Sequence, residues 1–152
     1  MKALKLLGFA LGATIALAMA APFVHADESY QMTNLTINEP FHIPGNRVLV
    51  PGTYWFQTLA NMGLASNVVE IYNADHSQLI ATMLTRPTDR IEPTDTTELQ
   101  FATSSGSPAT LVRWFYPGRV TGQTFVYSRG REQKIQNENL ETVIANRAGV
   151  VG

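Results

Sequence analysis

The stretch Ala-Thr-Leu-Val-Arg-Trp-Phe-Tyr-Pro-Gly-Arg-Val-Thr-Gly-Gln-Thr-Phe-Val-Tyr, residues 109–127, decides the fold class. Two runs rich in aromatic and β-branched residues flank Pro117-Gly118, and Gly122 follows inside the second run. Such side chains suit a pleated surface, proline presets the first central position of a turn, and glycine takes the positive φ of the second. The stretch therefore reads as a β-hairpin with a loop of a few residues, and its aromatic density places it centrally in a sheet.

Working outward, the same grammar recurs. Val68-Val69-Glu70-Ile71-Tyr72 and residues 78–85 flank the turn-rich Asn73-Ala74-Asp75-His76-Ser77, a second hairpin. Pro44-Gly45 and Pro51-Gly52 bracket a short strand, and Thr53 to Leu59 is the next. Leu35, Ile37 and Phe41 form a weak first strand that Pro40 confines to an end or an edge. Residues 96–102 fit a strand with Thr97, Leu99 and Phe101 on one side, whereas Pro87 and Pro93 make residues 86–95 a connection or a broken edge strand.

Strand-like segments recurring every ~8 to 12 residues are the pattern of an antiparallel sandwich or barrel and not of βαβ units. After Tyr127 the composition shifts to Glu, Gln and Asn, and Leu140, Val143 and Ile144 stand at the i, i+3, i+4 spacing of a helical stripe. The expected architecture is all-β: a single antiparallel β-sandwich or flattened barrel of about seven or eight strands with a C-terminal helix. Residues 27–130 form the β domain, residues 131–147 the helix, and residues 148–152 a disordered tail.

The N-terminus sets the compartment. Lys2 and Lys5 precede an apolar run from Leu6 to Ala21, and Val24-His25-Ala26 puts small residues at the first and third places before Asp27. That order is a secretory signal peptide, residues 1–26, cleaved after Ala26. The apolar run falls a little short of the ~20 residues a spanning helix wants and Pro22 interrupts its end, so no membrane span is expected once the leader is cleaved. Lys2 and Lys5 leave with the leader, taking Lys plus Arg from 11 to 9 against 12 acidic residues, a net charge of −3. The remaining arginines form no basic cluster, which argues against nucleic acid as a partner. The chain has no cysteine, so it uses neither disulfides nor thiol chemistry. The expected location is periplasmic or secreted, in a bacterium.

Chemistry-bearing constellations are few. Once His25 has left, His42 and His76 remain, without metal-ligand spacing. Asp89, Glu92 and Asp95 lack the glycine and alternation of a calcium loop. Ser104, Ser105 and Ser107 stand in a polar loop and not on a nucleophile elbow. Glu70, Asp75 and Glu98 are carboxylates without a recognisable pairing, and no glycine loop opens a helix to cradle phosphate. No catalytic residue, metal site or cofactor is expected.

The aromatics are the remaining signal. In Tyr54-Trp55-Phe56 and Trp114-Phe115-Tyr116 the outer two rings point to one face of a strand and the middle ring to the other. Each triplet therefore leaves an aromatic on the second face unless another element covers it. Trp55, Trp114 and Tyr116 are the candidate ligand-binding residues, since exposed rings stack on sugars or anchor a protein.

Four blocks carry a resemblance: Phe41-His42-Ile43-Pro44-Gly45, residues 51–56, residues 69–75, and residues 111–118 with Phe125-Val126-Tyr127. In these the chain resembles a group of small uncharacterised exported β-rich bacterial proteins with no established activity. The resemblance implies an exported β domain and carries over no site. The expected function is a non-catalytic module that binds a protein or glycan of the cell envelope. A β-barrel carrier of a small apolar ligand, a structural subunit assembling through edge strands, and a hydrolase with an unrecognised site are the alternatives.

Overall fold

The computed structural model describes residues 24–29, 32–59, 67–144 and 146–147. The strands are β1 (Val24–Ser29), β2 (Met32–Ile37), β3 (Phe41–Ile43), β4 (Arg47–Leu49), β5 (Gly52–Thr58) and β6 (Val68–Tyr72). They are followed by β7 (Leu79–Asp89), β8 (Glu98–Thr103), β9 (Ala109–Phe115) and β10 (Thr121–Phe125). Helix α1 (Arg129–Gln136) then precedes β11 (Asn139–Ile144) and β12 (Asn146–Arg147).

The opening stretch is the expected hairpin. β9 and β10 run antiparallel with Trp114 opposite Gln123 and Arg113 opposite Thr124. Gly118 supplies the turn's positive φ of 68°. Gly122 serves a different purpose, close approach: a Cβ there would lie 2.4 Å from the Phe115 ring and 2.5 Å from the Trp114 carbonyl oxygen. The β6–β7 hairpin is also antiparallel, with Val69 opposite Met83 and Ile71 opposite Ala81.

Hydrogen bonding links ten strands in the order β11-β8-β9-β10-β7-β6-β5-β2-β1-β12, while β3 pairs with β4 and β9 off this path. The path is longer than the expected seven or eight strands because β1, β11 and β12 arise in stretches read as leader, lead-in and helix. The sheet is mixed and not purely antiparallel, since β3–β9 and β1–β12 are parallel pairs.

Two long segments turn this sheet over on itself. In β7, residues 79–84 pair with β6 and residues 85–89 pair with β10, so one strand belongs to both halves. Pro87 sits inside β7, where the sequence suggested a break. The Thr85 N–H points to the β6 side, donating to the Asn67 carbonyl at 2.8 Å. The Pro87 nitrogen, two residues on, faces the same way at a point where β6 has ended, so no ladder bond is lost. At the other corner one residue separates β11, paired with β8, from β12, paired with β1. β11 and β12 do not pair with each other, and the ring stays open.

The core lies between the facing halves. Leu35, Ile37, Tyr54, Phe56, Val69, Ile71 and Met83 meet Phe41, Ile43, Leu99, Phe101, Leu111, Trp114 and Phe125. Phe56 packs edge-on to Trp114 at 5.8 Å, and Phe41 bridges Tyr54 and Phe101 at 5.9 and 6.1 Å. Burying each such side chain is worth about 1.5–3 kcal/mol.

The C-terminal helix is shorter and earlier than the expected 131–147. α1 spans Arg129–Gln136, and only Ile135 is buried, packed on Ala102 and Val112 over the outer face of β8 and β9. Leu140, Val143 and Ile144 stand in a strand: β11 pairs with β8 from Asn139↔Thr103 to Ile144↔Glu98. Alternation turns Leu140 and Ile144 outward, each 52% exposed, while Val143 packs against the core. The expected tail, residues 148–152, and residues 1–23 of the expected leader lie outside the described residues, while residues 24–26 begin β1.

Candidate functional site

The three aromatic candidates part company in the folded chain. Trp114 is wholly buried against Phe56 and Tyr116, and Tyr116 is buried beside it. The Tyr116 hydroxyl accepts from Gln123 Nε2 at 3.3 Å, and Gln123 Oε1 accepts from Thr85 Oγ1 at 2.6 Å. Trp114 and Tyr116 are thus core residues with no face open to a surface ligand, because alternation aims both into the space between the halves. Phe115, aimed the other way, is buried too: the Arg90 guanidinium lies 5.3 Å from its ring centroid. Arg90 is held there by the carbonyls of Arg119 and Tyr116 at 2.9 and 3.1 Å and by Glu98 at 3.3 Å.

Trp55 is different. Tyr54 and Phe56 enter the core, so Trp55 stands on the outer face of β5, where it remains half-buried. Its cross-strand neighbours are Asn34 on β2 and Tyr72 on β6. The β6–β7 turn lifts His76 over this face. His76 lies 4.3 Å from the Tyr72 ring at a 35° tilt and meets Trp55 edge-on at 5.7 Å. Three rings from two strands and a turn thereby form one outer ledge, with exposed Leu79 opposite Tyr72 at its border.

Hydrogen bonds hold the ledge in shape. Trp55 Nε1 donates to the Ala74 carbonyl at 3.0 Å, and His76 Nε2 donates to Gln57 Oε1 at 3.1 Å. The turn beneath is tied by Asn73 Oδ1, which accepts from the amides of Ser77 and Gln78 at 2.9 Å each. Asp75 Oδ1 accepts from Ser77 Oγ at 2.6 Å, and this bond holds the Asp75 carboxyl below its ordinary pKa. His76 takes a positive φ of 59°, which the tied turn imposes. Tyr72 donates its hydroxyl to Glu70 Oε2 at 2.7 Å, and that bond, with some desolvation and the carboxylate's charge, raises its pKa.

Tyr72 and His76 are absent from the candidates that the sequence offers. The signal was present in part: alternation in Val69-Glu70-Ile71-Tyr72 opposes Tyr72 to the apolar pair. That Tyr72 stands beside Trp55 depends on β5 pairing with β6, which no local pattern announces.

Among the described residues, depressions also lie elsewhere. One, of about 240 Å³, is lined by His42, Asn46, Tyr127, Ser128 and Arg131. A wider one, of about 710 Å³, lies between the 103–108 loop and β11, with Glu39, Ser105 and Glu141 on its walls. Among the described residues no three His, Cys, Asp or Glu side chains gather as metal ligands, and no helix is long and apolar enough to cross a membrane. No protein-family model matches the chain, and no match emerges among curated proteins or solved structures.

Proposed function

We propose that the chain is a non-catalytic, exported bacterial module that binds a glycan of the cell envelope on the Trp55–Tyr72–His76 ledge. The observation that carries this reading is the ledge itself, three contiguous rings on an outer sheet face, braced by hydrogen bonds before any ligand arrives. A sugar ring offers a C–H face to aromatic rings and hydroxyls at its edge. Glu70, Asp75 and Asn34 supply polar groups at the rim. Bracing lowers the ordering cost that binding must overcome. Ring packing at 5.8–6.1 Å between the facing halves favours a surface site over an internal carrier cavity.

Export rests on the leader-like N-terminus, and membership of the resembling group of exported β-rich proteins belongs to the same proposal. Tryptophan fluorescence tests the site, because only two tryptophans are present and Trp114 is wholly buried. Titration with soluble peptidoglycan fragments is expected to change the emission, and Trp55→Phe is expected to abolish that change. No response to any envelope glycan, together with capture of an envelope protein that Trp55→Ala abolishes, would replace the glycan with a protein at the same ledge.

A further inference from the structure

The seam between β1 and β12 crosses the expected leader cut. Among the described residues β12 is held to β1 by two register pairs, His25↔Asn146 and Ala26↔Arg147. β1 in turn pairs with β2 from Val24↔Ile37 through Ala26↔Leu35 to Ser29↔Met32. Cleavage after Ala26 removes both of β12's partners and the β1 partners of Leu35, Thr36 and Ile37. What remains of β1 is residues 27–29, paired with Asn34, Thr33 and Met32.

One cut therefore creates two open edges in the same place. Leu35 and Ile37 are among the most deeply buried residues of the core, at 0% and 1% exposure, so the uncovered backbone belongs to a stretch the core depends on. Unpaired backbone groups beside a buried core are costly, and an open edge invites a strand. The nearest candidate is already in place. β12 is parallel to β1 and β1 is antiparallel to β2, so β12 is antiparallel to β2. With residues 24–26 gone, a sideways shift of one strand spacing, about 4.8 Å, brings it into contact. β11, anchored on β8 up to Ile144, stays where it is.

We propose that in the processed chain Asn146 and Arg147 take the place of His25 and Ala26, pair antiparallel with Thr36 and Leu35 of β2, and seal the sheet within one molecule. The inference rests on the leader cut that the proposed export requires and is independent of the ledge. A tethered segment wins this edge over a free strand because its effective concentration is high.

Hydrogen exchange on the exported protein, produced from the full precursor, tests it. Whichever amides of Leu35 and Thr36 face the vacated side are expected to be protected, independently of protein concentration. Arg147→Pro, or deletion of residues 146–152 from the same precursor, is expected to accelerate their exchange at least tenfold while β8 and β9 amides stay protected. Equal rates in all three proteins would overturn the proposal. Protection that rises with concentration, with dimers or polymers in light scattering, would overturn it in favour of a strand from a second copy. An intact mass retaining residues 24–26 would overturn it as well, since β1 would then be whole, and would leave glycan binding by the ledge to stand or fall on the Trp55 titration.

Discussion

Tyr54-Trp55-Phe56 and Trp114-Phe115-Tyr116 are the same device placed in two settings. In each, the outer rings enter the core and the middle ring faces away from it. On β9 the middle ring is covered: Arg90 lies over Phe115, Gly122 leaves room beside it, and α1 shields the neighbouring Val112 through Ile135. On β5, among the described residues, Trp55 is joined instead by Tyr72 and His76 at the surface. Alternation sorts rings between faces, whereas exposure depends on what chain returns to cover the second face.

Substitutions can break this contrast at measurable points. The largest effect is expected at Trp114→Ala, which empties a fully buried ring site and should cost about 3–5 kcal/mol in denaturant unfolding. Trp55→Ala should cost clearly less, about 1 kcal/mol in the same assay, because a half-buried ring gives up one hydrogen bond to the Ala74 carbonyl and its contact with His76. Similar losses for the two would erase the distinction between them.

Gly122→Ala comes next. Its Cβ would collide with the Phe115 ring and with the Trp114 carbonyl, which is backbone and cannot swing away. A loss of about 1–3 kcal/mol is expected, read as a lower thermal midpoint. Arg90→Ala should cost about 2 kcal/mol, because it uncovers Phe115 and strips Glu98 of its cation. Nη1 meets Glu98 as an ion pair without hydrogen-bond geometry. Arg90→Lys should therefore keep part of the charge pairing and lose the bonds to the Tyr116 and Arg119 carbonyls.

The smallest effect concerns alkaline pH. Tyr127 donates to the Leu111 carbonyl at 2.6 Å, and burial pushes its pKa well above the ordinary phenol value, opposed in part by the Arg131 charge. A phenol raised in the folded state holds its proton where the unfolded chain releases it. Its contribution is therefore fully present below about pH 10 and is lost as pH rises beyond that. Tyr127→Phe should flatten the alkaline limb of a stability–pH curve relative to the parent, and parallel limbs would refute the assignment.

Much of the sheet was legible locally. Both hairpins follow from turn chemistry between β-rich runs, and Thr97, Leu99 and Phe101 are buried on one side as their alternation implied. The reading failed where two periods share few residues. Leu140, Val143 and Ile144 fit a helical stripe, but Leu140 and Ile144 also alternate with Val143 closely enough to serve a strand. The open edge of β8 supplied backbone partners that decided for the strand. Pro87 misled for a related reason, since its tolerance depends on β6 ending two residues earlier.

The candidate site was legible by a third. The sequence points to Trp55, Trp114 and Tyr116 alike; Trp55 lies on the ledge, and Trp114 and Tyr116 lie in the core. From one chain in hand, alternation, turn residues and the leader-like N-terminus determine strand periodicity, the two hairpins and the expectation of export, because each is a property of neighbours in sequence. Which face of each aromatic strand is covered, that Tyr72 and His76 join Trp55, and that the last strand leans on the first are decisions of tertiary structure. They depend on pairings across 17 to more than 100 positions, where only the closing of the whole sheet brings the partners together.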